Sequence, residues 1–158
     1  MMIRNFDSHD ALVRWLEAGG VDTAVWGSGN SKSTNNLWDE YLQGEVSFEA
    51  HPLMRIVRVV QVLIKRDDAI LLEVEQVFKN GKRRFRNQPP AEKIKGGESI
   101  IDAAYRCLKE ELGFSHDQVD FLGVDQEMEY VIRDSPSYPS LPTRYTIQRI
   151  RARVAGLP

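Results

Sequence analysis

Cysteine is almost absent from this chain: Cys107 is the only one in 158 residues. A lone thiol excludes an internal disulfide and a cysteine-rich zinc site, and it favours a reducing compartment. Histidine is scarce too, and His9, His51 and His116 have no metal-ligand spacing. No apolar run approaches the roughly 20 residues that cross a bilayer. The start, Met-Met-Ile-Arg-Asn-Phe-Asp, has no apolar stretch behind its basic residue, so a secretory signal is not expected. An excess of one charge is also missing. A net charge of −2 gives no general pull toward nucleic acid or anionic lipid. These absences predict a cytoplasmic protein with no membrane segment and no specific nucleic-acid partner.

What is present suits a chain that buries its own core. With 42% hydrophobic and 28% charged residues at this length, one globular domain with a small appendage is expected. The charges are unevenly placed. Lys79, Lys82, Arg83, Arg84 and Arg86 cluster, as do Arg144, Arg149, Arg151 and Arg153, while acids gather at 98–111 and 125–129. Such neighbours are what a metal-plus-phosphate site requires; solvated strand and helix faces give the same composition.

Residues 1–50 read as a helical extension. Asp7 or Ser8 can cap a helix carrying Leu12, Trp15 and Leu16 and ending at Gly19-Gly20. A Gly- and Ser-rich link leads to a second stripe, Leu37, Trp38, Tyr41 and Leu42. The three tryptophans here are expected to pack rather than to bind a ligand. From Arg55 the period changes to that of strands: 55–64, Ala69–Phe78 with a hairpin signal at Lys79-Asn80-Gly81, and a basic strand Lys82–Arg86. Val119–Tyr130 and Tyr145–Val154 complete the set, separated by a loop, 134–142, that holds three prolines and is a plausible binding wall.

Between these strands, residues 98–112 have the spacing of an amphipathic helix that packs apolar residues on one side and gathers carboxylates on another. Residues 92–114 resemble a Nudix box, Gly-x5-Glu-x7-Arg-Glu-U-x-Glu-Glu-x-Gly-U, where U is a bulky apolar residue. Glu98 matches the first Glu, Arg106 the Arg, Leu108 the first U, Glu110-Glu111 the acidic pair, and Gly113-Phe114 the end. The resemblance covers roughly residues 55–154. It implies an α/β fold, a Nudix-like α/β/α sandwich with a mixed β-sheet, here at 55–158 behind the helical extension 1–50.

Two positions depart from the pattern. Glu92 stands where the box opens with Gly, and Cys107 stands where it has the Glu of Arg-Glu. Positions 107, 110 and 111 are spaced i, i+3 and i+4, so a shared face is expected. In the family that face binds magnesium (or manganese), which neutralises a diphosphate and helps activate water. Cysteine suits a hard ion badly; as a small apolar filler it needs no special setting. The resemblance implies metal ligation by Glu110, Glu111 and Glu98, with catalytic roles on Glu111, Glu110 and Arg106. Read without the resemblance, Glu98 is an acid at a helix start and Glu110-Glu111 face water.

A general base in this family can come from the following strand or loop, where Glu127, Glu129 and Asp134 lie. Arg58, Arg84 and Arg86 are candidates for bidentate phosphate contacts, and Tyr130, Tyr138 or Tyr145 for stacking on a base. Two functions follow as expectations. One is magnesium-dependent hydrolysis of a nucleoside diphosphate linked to another group; the other is a catalytically impaired module that binds a nucleotide, a metabolite or a protein in a regulatory role. Typical family domains continue beyond the strand matching 145–154. The expectation is therefore a chain truncated at Pro158, or one whose residues 1–50 cover the sheet instead.

Overall fold

A computed structural model describes residues 2–66, 69–70, 73–77, 83–125 and 127–156, with the backbone alone at 2, 73–77 and 83–87. The predicted turn at Lys79-Asn80-Gly81 lies outside the described residues. The chain divides into two compact units: 1–58 with 95–97 and 128–146, and 59–94 with 98–127 and 147–158.

The first unit opens with strand β1 (Met2–Arg4) and helix α1 (His9–Ala18). Ser8 caps α1 by accepting a hydrogen bond from the Ala11 N–H, and Leu12 and Leu16 bury the face that the spacing predicted. Helix α2 (Thr34–Leu42) begins in a Ser33–Asn36 capping box. Strand β2 (Ser47–Ala50) pairs antiparallel with β1 and with the first residues of the long strand β3 (Met54–Arg66). Neither β1 nor β2 stands out in a region that reads as helical. Their aromatic contents show what they are for: Phe48 of β2 sits under Phe6, Trp15 and Tyr41, with ring centroids 5.7 to 5.9 Å away. Trp26 is buried and donates from its indole nitrogen to the Pro139 carbonyl at 2.8 Å. The tryptophans here have packing partners, as expected.

The second unit continues β3 and adds β4 (Ala69–Ile70), β5 (Glu73–Val77), β6 (Arg83–Gln88), β7 (Ala91–Lys93), helix α3 (Ile100–Leu112) and β8 (Val119–Val124). Strand β9 (Met128–Ile132), of the first unit, is separate from β8, where the sequence read as one strand. The last strand, β10 (Thr143–Val154), passes through both units and lies beside β3. In the second unit β7 pairs antiparallel with β3, and β8 with β10. Strands and helices together give the expected α/β class, with a mixed sheet.

Helix α3 forms where the box spacing placed it, starting two residues later, at Ile100. Ser99, not Glu98, is the cap, accepting from the Asp102 N–H at 3.1 Å. Ala103, Ala104, Cys107 and Leu108 face a core that includes Val60, Val62 and Ile150. Gly113 ends the helix at φ 74°, a left-handed backbone that a side chain would strain. Its N–H bonds the Lys109 carbonyl and that of Phe114 the Leu108 carbonyl, so the Gly of the box ending is a helix stop.

Candidate functional site

Arg106 organises the second unit's polar face. It points from α3 toward the loop before the helix and toward β7, on which α3 packs. Glu98 grips it as a fork: Nε and Nη2 each donate to one carboxylate oxygen at 3.0 Å. Nη2 also donates to the Lys93 carbonyl at 2.6 Å. The remaining nitrogen, Nη1, reaches Glu92 at 3.2 Å and Glu110 at 3.6 Å. Glu92 and Glu98 are mostly buried, while the Glu110 side chain is 53% exposed.

One guanidinium thus faces three carboxylates. The Glu98 hydrogen bonds raise Arg106 further above its ordinary value against the opposing effect of burial, so its charge is secure. Glu92 shows the opposite strain. Burial, then the nearby Glu110 charge, pushes its carboxyl up to about 7; Arg106 opposes this, while contact with Glu110 and the charge of Glu111 add to it. Glu92, Glu110 and Glu111 therefore lie within one another's field.

Helical geometry corrects one expectation. Positions 107 and 110 do not present a common open face: Cys107 is fully buried in the apolar core, while Glu110 is exposed and Glu111 partly so. A spacing of three residues leaves side chains about 60° apart around the axis, enough to put one inside and the other out. The burial agrees with the filler role for Cys107, and it denies the thiol the exposure that a nucleophile needs. Among the described residues, no group of three or more His, Cys, Asp or Glu is placed to hold a metal ion.

The structure thus brings Arg106, Glu98 and Glu110 together, with Glu111 alongside. It adds Glu92, which sequence reasoning registered only as a missing glycine. The available signal was an acid three residues after Pro89 in a segment short enough to be a strand facing the helix. A pocket of about 580 Å³ opens on the outer side of α3, lined by Asp102, Tyr105, Arg106, Lys109, Glu110 and His116. There the Tyr105 and His116 rings stack at 3.7 Å.

Arg58 is exposed on β3 in the first unit. Arg84 and Arg86 belong to β6, but their side chains lie outside the described residues. Of the possible bases, Glu127 accepts from Gln148 at 2.9 Å, Glu129 lies 3.7 Å from Arg144, and Asp134 accepts from the Ser140 N–H at 3.0 Å. Tyr138 cannot stack on a base. It is wholly buried, and its hydroxyl donates to Glu40. Tyr130 and Tyr145 stack on each other at 5.3 Å, with Tyr130 exposed.

Comparison with known proteins adds a family. The model described as NUDIX domain matches residues 54–153. No curated protein matches the chain. Among solved structures, the Ap4A hydrolase of C. elegans aligns at 19% identity over 63% of this chain and 70% of that one, with a TM-score of 0.39. That likeness carries no argument about substrate.

Proposed function

The chain belongs to the Nudix family, and from that premise we propose that it hydrolyses a nucleoside diphosphate linked to another group, with magnesium or manganese as cofactor. The observation that supports this reading is the arrangement around Arg106. Glu98 holds the guanidinium as a fork, which ties the loop before α3 to the helix that carries Glu110 and Glu111.

The donor chemistry fits the ion. Magnesium takes oxygen ligands and is commonly held by one or two carboxylates together with substrate phosphates, not by a closed protein cage. Glu110 and Glu111 are such a pair, so a shortage of third ligands among the described residues is compatible with binding. When bound, the ion neutralises phosphate charge and lowers the pKa of a coordinated water. Arg106 and Glu98 brace the carboxylates. Arg84 and Arg86, of the same unit, are the proposed phosphate contacts. No described helix is long and apolar enough to cross a membrane. The single thiol is what supports placing the reaction in the reducing cytoplasm.

A second reading, a module that binds the same ligand without turnover, is favoured by one observation: Cys107 has gone into the core, so position 107 offers no oxygen to the ion. A panel of nucleoside diphosphate derivatives separates the two. The enzyme reading expects magnesium-dependent phosphate release from at least one compound, lowered at least 100-fold by Glu111→Gln, a loss of about 2.7 kcal/mol of transition-state stabilisation. Ligand binding with no turnover of any compound selects the module.

A further inference from the structure

The helical extension meets the box loop through two glycines. Residues 95–97 belong to the same compact unit as the extension, and the Gly96 N–H donates to the Gly44 carbonyl at 2.8 Å. We infer that Gly44 is a positioning residue for the proposed hydrolysis: it seats the loop 95–97, from which the chain passes directly to Glu98. This rests on the hydrolase reading above and deepens it by naming what the extension contributes.

Gly44 follows helix α2, whose Leu37 and Glu40 are buried. Its own N–H donates to the Tyr41 carbonyl at 3.1 Å, and that of Glu45 donates to the Glu40 carbonyl at 2.9 Å, so the turn is tied back to the helix on both sides. The backbone at Gly44 is left-handed, with φ 76°. The approach of the loop leaves no room for a side chain there unless the loop gives way: a Cβ on Gly44 would lie 3.0 Å from the Gly96 nitrogen. Gly20, after α1, is left-handed too, at φ 89°, but a Cβ there would meet nothing within 4 Å. Two demands therefore fall on Gly44 where one falls on Gly20, and the second is the seat for Gly96. Two residues beyond Gly96, Glu98 forms its fork on Arg106. A loop displaced at Gly96 carries that carboxylate off the guanidinium, and a misplacement of about 1 Å can cost an enzyme roughly 100-fold.

Three variants of the full chain test this: Gly44→Ala, Gly44→Asn and, for comparison, Gly20→Ala. Asn tolerates a left-handed backbone better than Ala does, so it keeps the crowding at Gly96 with less strain and serves if the Ala variant folds poorly. Amide exchange followed by NMR reads the seat. Steady-state kinetics with magnesium, on the nucleoside diphosphate derivative of the panel that the wild type hydrolyses fastest, read the chemistry. In both Gly44 variants the Gly96 amide should exchange faster by about tenfold or more. Their kcat should fall by about tenfold or more with KM held within about twofold, because the proposed phosphate contacts are untouched. Gly20→Ala should lower the thermal midpoint through strain alone and leave both readouts at wild-type values. Three results would each overturn the inference and leave the hydrolase reading intact: wild-type kcat in a Gly44 variant whose Gly96 amide is freed, unchanged Gly96 exchange, or an equal loss of kcat in Gly20→Ala. A wild type that hydrolyses no compound of the panel removes the hydrolase reading, and the inference falls with it.

Discussion

Two arginines in this protein each gather carboxylate partners, and they differ mainly in their exposure to water. Arg55, in the first unit, is 2% exposed. It lies 3.5 Å from Glu40 and within 3.5 Å of the Thr143 and Tyr145 hydroxyls, with the Tyr138 ring 4.8 Å beneath it. Glu40 in turn accepts from Tyr138 and meets Lys32 at 3.7 Å. Arg106, in the second unit, has a side chain 20% exposed and a carboxylate partner, Glu110, that is half in solvent. A buried charge network tolerates no exchange of partners, because each member left alone has no water to turn to. A network at the surface can trade a proton or a protein cation for a ligand ion. The first cluster therefore holds structure, joining α2, β3 and the Pro-rich loop of its unit, while the second is open enough to exchange partners.

The sharpest way to break this contrast is to remove one acid from each cluster. Glu40→Ala strands Arg55 without its countercharge in a buried site. The expected loss is about 3–5 kcal/mol in urea unfolding. A loss under 1 kcal/mol would show that the buried cluster relaxes and that the contrast is false. Tyr138→Phe removes one hydrogen bond to a charged acceptor and keeps the ring, so about 1.5–3 kcal/mol is expected by the same measurement. Burial and the Glu40 charge raise the Tyr138 hydroxyl above the ordinary tyrosine value, so it remains a donor throughout the working pH range.

At the other cluster, Glu98→Gln weakens the fork on Arg106 while Glu92 and Glu110 remain to take over. A cost of about 1 kcal/mol is expected, less in high salt because the site is partly open. Activity should fall more than stability does, since the fork orients the α3 carboxylates. If thermal stability falls as far as in Glu40→Ala, Arg106 belongs with Arg55 as a structural group.

The sequence made one of these clusters legible and hid the other. Glu98, Arg106 and Glu110 lie on or beside one local element, and the resemblance to the box singled out all three. Ser99 and Gly113 likewise mark the ends of α3 by local chemistry. Arg55 and Glu40 are brought together by packing between segments distant in the chain, and Glu40 looks like a solvent-facing residue on a short amphipathic helix. Tyr138 was misplaced for the same reason: a Ser- and Pro-rich loop reads as exposed, yet its tyrosine is wholly buried. Strands β1, β2 and β7 are three or four residues long and owe their form to their partners, which no local period reveals. Cys107 was placed on the carboxylate face by spacing; an apolar residue at the border of two faces turns inward, and the core took it.

The smallest expected effect tests the second cluster through its protons. The Glu92 carboxyl stands at about 7 in the folded protein against an ordinary value of 4.5, mainly through burial and then through Glu110. Between those two values the folded state holds a proton that the unfolded chain has released. Stability therefore falls as pH rises through that window, since the slope of unfolding free energy with pH follows protons bound in the unfolded state minus those bound in the folded state. Below the window both states are protonated and the contribution is fully present; above it the contribution is gone. Thermal midpoints in chelated buffer from pH 5 to 8 should drift downward, and Glu92→Gln should flatten the drift. An identical slope in the Gln variant would assign the drift elsewhere and leave Glu92 as rigidly paired as Glu40.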